Sequence, residues 1–144
     1  MKSILSLYRY AEKRNIEIDT FPLPETSSMS IEAESGTCYI GIDYSKIENE
    51  TDERVHLSHE IGHCVTGSFY NRYAKMDVRQ KHENRADKWS IRRLIPAKDL
   101  DIAVAEGHTE LWDLADYFGV TEELMRKAVC LYTHGNLAVE LYFA

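Results

Sequence analysis

Five consecutive residues, His59-Glu60-Ile61-Gly62-His63, constrain this chain more than any other stretch, because they read H-E-x-x-H. On a helix, residues four apart lie on one face, so His59 and His63 can offer two imidazoles to one metal ion, with Glu60 beside that face. Zinc favours imidazole and carboxylate ligands, and a catalytic zinc keeps one position for water, whose acidity it raises toward neutrality. A neighbouring carboxylate can then take the proton. The motif therefore demands a helix through 59–63 and predicts a metal-assisted hydrolase with Glu60 as general base. The competing explanation is a solvated helix that happens to carry two histidines, and it must also account for the rest of the chain.

A chain of 144 residues with 44% hydrophobic content, three prolines and seven glycines fits one compact domain with its own core. Its net charge of −7 would repel a phosphate backbone, so direct DNA binding is not expected. Cys38, Cys64 and Cys130 are odd in number and lack C-x-x-C spacing, which predicts free thiols in a reducing compartment, with Cys64 a small buried residue off the metal face. Lys2 is followed by only a brief apolar stretch before Arg9, and no run is long enough to span a bilayer. The expected location is the cytoplasm, without membrane contact.

Helices and a small sheet alternate in the pattern, which predicts an α+β fold. Residues 1–45 carry an N-terminal helix, with Ile4, Leu7, Tyr8 and Ala11 at helical spacing and an end near Asn15, and then a short strand through Ile16 and Ile18. Phe21-Pro22-Leu23-Pro24 must be extended. Residues 29–43 read as a hairpin turning at Ser35-Gly36. Such a hairpin beside the metal helix could hold a substrate backbone by strand addition, or be purely structural. Metal-binding helices are expected over 51–95: Asn49 or Thr51 can cap the first, Gly67 can end it, and His56 is a weaker rival ligand.

A third ligand should come from a later helix, read at Lys81 to Ile95 and stopped by Pro96, on which Glu83 and Asp87 share a face. Nineteen residues separate His63 from Glu83. This spacing, with an aspartate four residues on, resembles the thermolysin-like peptidases. The resemblance implies a zincin-like domain in which Glu83 is the third zinc ligand and Asp87 accepts a hydrogen bond from the outer nitrogen of His59, a partnership that ligating histidines generally need. Asp87 stays open as either that partner or, in a variant geometry, a ligand. Ordinary ion pairs of Glu83 and Asp87 with Arg79, Lys81 or Lys88 are the plainer alternative.

The order of N-terminal helix, hairpin ending in Tyr39-Ile40-Gly41-Ile42-Asp43, His59-Glu60-Ile61-Gly62-His63 and Glu83-Asn84-Arg85-Ala86-Asp87 resembles the ImmA/IrrE metallopeptidases over most of the chain. Members lie beside helix-turn-helix repressors in phages and mobile elements and relieve repression by cutting the repressor. The resemblance implies a zinc endopeptidase with a repressor as protein partner. The alternative is a non-catalytic regulator in which metal stabilises a repressor-binding module. Tyr70, Tyr73 and His82 are the candidates for stabilising an oxyanion.

The segment 108–134 reads as two helices around Gly119, the second capped by Thr121, and resembles a helix-turn-helix. Glu122 and Glu123 stand where a DNA reader needs basic or amide side chains, which favours packing or repressor docking. Leu137, Val139, Leu141 and Phe143 alternate, predicting a terminal strand. Between Arg72 and Arg93 stand eight basic residues against Asp77, Glu83 and Asp87, a band that could attract an acidic segment or be a solvated helix face.

Overall fold

The computed structural model describes residues 1–143. An N-terminal helix, α1 (Ile4–Lys13), leads into three strands, β1 (Glu17–Thr20), β2 (Ser28–Glu32) and β3 (Cys38–Ile42). Five helices follow: α2 (Glu50–Thr66), α3 (Met76–Leu94), α4 (Ala97–Ala105), α5 (Leu111–Phe118) and α6 (Glu122–His134). The fold is α+β, as the pattern predicts.

The sheet order is β1-β3-β2, with β1 parallel and β2 antiparallel to β3. The β2–β3 hairpin pairs Ser28 with Ile42 and Glu32 with Cys38, and Gly36 takes the left-handed backbone its turn needs, at φ 87°. Cys38, Ile40 and Ile42 turn inward onto Leu7 and Ala11 of α1 and Leu57 and Ile61 of α2, forming one core with the buried faces of α3, α5 and α6. Strand β2 reverses the usual phase. Ser28 faces inward and is 5% exposed, whereas Met29 and Ile31 face outward at 42% and 52%. The physical reason is a buried carboxylate on α2 that needs hydrogen-bond donors from this strand.

Arg54 ties α2 to both chain regions that flank it. Its buried guanidinium donates to the carbonyls of Lys2 at 2.9 Å and Gly119 at 2.6 Å, and to Glu50 at 3.0 Å. Gly119, at φ 66°, ends α5, and Thr121 caps α6 by accepting from Leu124 N. No helix among the described residues is long and apolar enough to cross a membrane.

Three expectations need correction. Cys38 and Cys64 are not free thiols but form a disulfide, because the start of β3 runs beside the last turns of α2 and brings their Cα atoms within 5.8 Å; Cys130 alone is free and buried. Free thiols therefore no longer argue for a reducing compartment. The terminal strand is replaced by a 3-10 turn at Val139–Leu141. Gly135 in left-handed backbone and the Asn136 side chain, which accepts from Ala138 N, turn the chain back; Tyr142 then stacks on His134 and Leu141 is left 72% exposed. Finally, α3 starts five residues before Lys81, at Met76, and Pro96 opens α4, a helix that the pattern did not reveal.

Candidate metal centre

Helix α2 is well delimited. Asn49 caps it by accepting from Asp52 N at 2.9 Å, three carboxylates in its first turn complement the helix dipole, and Gly67 ends it at φ 66°. Its contact with α3 is made through small residues. The hydroxyls of Ser58 and Ser90 bond to each other, and a Cβ at position 62 would lie 2.7 Å from the Ala86 carbonyl oxygen. The close approach of the two backbones sets Glu83 opposite His59 and His63.

Donor atoms of three residues converge there. His59 Nε2 lies 3.1 Å from His63 Nε2 and 2.8 Å from Glu83 Oε2, and His63 Nε2 lies 3.2 Å from Glu83 Oε1. Tetrahedral zinc with ligands at about 2.1 Å separates its ligand atoms by roughly 3.4 Å. The donor set and its spacing thus fit such an ion, and among the described residues these three could hold one. Each imidazole is oriented from behind: His59 Nδ1 donates to Asp87 Oδ1 at 2.8 Å, and His63 Nδ1 donates to the Ser68 carbonyl. Asp87 therefore stands as the outer partner of His59 and does not join the converging atoms. Lys127 of α6 donates to its other oxygen at 2.9 Å, anchoring Asp87 from a third helix.

Charge follows this geometry. Burial opposes the charged form of His59, but hydrogen bonds to Asp87 and Glu83 outweigh it and push its pKa up to about 10. His63 is also raised, burial again opposing and the Glu83 and Ser68 hydrogen bonds prevailing. Burial would raise Glu83 and Asp87, yet bonds to the imidazoles hold both below the ordinary carboxylate range.

A cleft of about 480 Å³ opens over these atoms. Glu60 borders it, 6% exposed, with one oxygen accepting from Ser28 at 2.7 Å and the other from Ser30 at 2.9 Å. Tyr70 also lines it and donates to Glu83 Oε1 at 2.8 Å; burial and the Glu83 carboxylate push its pKa up to about 12. Tyr73 is 79% exposed and bonded to Arg72, and His82 does not line the cleft, so of the three oxyanion candidates only Tyr70 reaches it. His56 borders the cleft but lies outside the donor triad, between Ser28 and Asp52.

Sequence reasoning missed Ser28, Ser30, Ser68 and Lys127. The serines at 28 and 30 did leave a signal, since two hydroxyls two apart on a strand before the metal helix must share a face. Ser68 and Lys127 left none, as each acts through a contact made only in the folded chain.

No curated protein matches the chain closely. The family model described as the IrrE N-terminal-like domain, a peptidase family, matches residues 11–129. That span holds every residue of the donor triad, together with Glu60 and Asp87. The chain belongs to the ImmA/IrrE family of metallopeptidases.

Proposed function

We propose that the chain is a zinc-dependent endopeptidase that cuts a partner protein, namely a helix-turn-helix repressor of a phage or mobile element. The observation that carries this reading is the convergence of His59, His63 and Glu83 at 2.8–3.2 Å beside Glu60 in an open cleft. These three would be the ligands, and Asp87 would fix the tautomer and orientation of His59. Zinc, when bound, supplies Lewis acidity that lowers the pKa of water and polarises a carbonyl.

The remaining work falls to the chain's own groups. Glu60 takes a proton from water as it attacks the scissile carbonyl, and returns it to the leaving amine. Tyr70, its hydroxyl held at the cleft by Glu83, can turn to donate to the developing oxyanion. The edge of β2 can receive an extended peptide as an added strand.

A substrate trap tests the reading. Tagged wild type and Glu60→Gln are expressed in the native host, metal content is measured, and co-purifying proteins are identified with their chain ends mapped. A helix-turn-helix protein held intact by the variant and shortened by the wild type is the expected result. If the partner stays full length with both, the metal site is regulatory and cutting is not its function.

A further inference from the structure

The inner face of β2 is polar where it meets α2, and both of its hydroxyls go to one carboxylate. Ser28 Oγ donates to Glu60 Oε2 at 2.7 Å and Ser30 Oγ to Glu60 Oε1 at 2.9 Å, so one strand supplies one donor to each oxygen. His56, one turn before Glu60 on α2, places Nδ1 3.3 Å from Ser28 Oγ, and its Nε2 lies 3.3 Å from Asp52 Oδ1. A hydroxyl carries a single proton. A Ser28 hydroxyl that donates to Glu60 can therefore only accept from His56 Nδ1.

From this geometry we infer that Ser28 and Ser30, with His56 behind Ser28, are positioning residues that hold the Glu60 carboxylate where it can accept a proton, and couple that orientation to the β2 edge. The inference rests on Glu60 being the general base. An ionised carboxylate has about four acceptor sites, so two bonds from behind leave others free toward the cleft. Glutamate otherwise turns about three side-chain torsions, and two anchored oxygens remove that freedom. Burying the Ser28 hydroxyl and half-burying that of Ser30 while Met29 and Ile31 stay outside is costly unless the hydroxyls are used. Because β2 is a sheet edge, an extended peptide bonded along its backbone would steady the same strand whose side chains hold the base.

The test uses zinc-loaded wild type, Ser30→Ala, Ser28→Ala/Ser30→Ala, Ser30→Thr and Glu60→Gln, assayed on a quenched-fluorescent degenerate peptide library with zinc stoichiometry measured. Crystal structures of zinc-loaded wild type and the double variant accompany it. Zinc content is expected to hold in all. The kcat should fall about 10-fold in Ser30→Ala and about 100-fold in the double variant, as misplacement of a catalytic group by an ångström does. KM should stay within about twofold, and Ser30→Thr, which keeps the hydroxyl, should recover most of the rate. In the crystals, Glu60 should hold both hydroxyls in the wild type and leave that rotamer in the double variant. A double variant with wild-type kcat beside an inactive Glu60→Gln overturns the cradle and leaves the base standing. A kcat lost only in proportion to lost zinc also overturns it. A wild type that cuts no library peptide leaves the peptidase reading to the substrate trap; the cradle then stands or falls on the crystals, and Glu60 beyond ~3.5 Å from both hydroxyls overturns it.

Discussion

Gly62 and Ala86 meet backbone to backbone: a Cβ on Gly62 would sit 2.7 Å from the Ala86 carbonyl oxygen and 3.1 Å from its Cα. Gly62 lies inside the metal motif, at a position that H-E-x-x-H leaves free. Its missing side chain lets α2 and α3 approach closely enough for Glu83 to face both histidines. Gly62→Ala must push the helices apart, since backbone cannot yield as a flexible side chain does. Overpacking of this kind costs about 1–3 kcal/mol. Thermal unfolding should show that loss, and zinc titration should show weaker binding although no ligand has changed; unaltered affinity would mean that the helices yield elsewhere.

Histidines four apart and two carboxylates four apart must each share a helix face, so the grouping of His59, His63 and Glu83 was legible before any fold. The phase of β2 was not, because alternation between Ser28 and Ile31 gives a period without saying which set turns inward. Only the buried Glu60 decides that. Likewise α3 begins after Lys75 without a side-chain cap, so its start carried no local mark, whereas Pro96 marked the end of α3 without showing that another helix follows. The Cys38–Cys64 bridge joins residues 26 apart, a pairing that follows from β3 lying against α2 and from nothing in their spacing.

Asp87 orients His59 and is itself held by Lys127, so the third helix of this contact reaches the metal centre through two bonds. Asp87→Asn keeps the shape but removes the charge that fixes the imidazole, and it should weaken zinc affinity about 10- to 100-fold. Lys127→Met should weaken it less, because Asp87 retains its bond to His59. Competition with a chromogenic zinc chelator measures both; equal affinity in Asp87→Asn and wild type would refute the orienting role.

The Cys38–Cys64 bridge closes a loop of 26 residues between the sheet and the metal helix. A cross-link over such a loop stabilises by roughly 3 kcal/mol, mainly by restricting the unfolded chain. Cys38→Ser/Cys64→Ser should therefore lower Tm clearly under oxidising conditions, and excess reductant should lower the wild type to match. Because Cys64 follows His63 directly, zinc affinity measured on the same samples shows whether the bridge also steadies the ligand. A wild type insensitive to reductant would mean that the thiols are unpaired in solution.

On the proposed ligand set, protons and zinc compete for His59 Nε2, and that competition sets how stability should depend on pH. Stripped of metal by a chelator, the protein holds His59 protonated, with a pKa near 10 against 6.5 in the unfolded chain. That stabilisation is complete below about pH 6.5 and is lost as pH rises through 10. Glu83 and Asp87 are lowered, so their contribution is present above the ordinary carboxylate range and is lost as pH falls through their depressed values. Metal-free stability should thus be greatest around pH 5–6.5 and decline steadily toward alkaline pH. Zinc needs the deprotonated nitrogen, so its stabilising effect grows as protons leave. The difference in Tm between zinc-loaded and stripped protein should widen from pH 6 to pH 9, by calorimetry at fixed free zinc. A constant difference would mean that protons and zinc do not share the site.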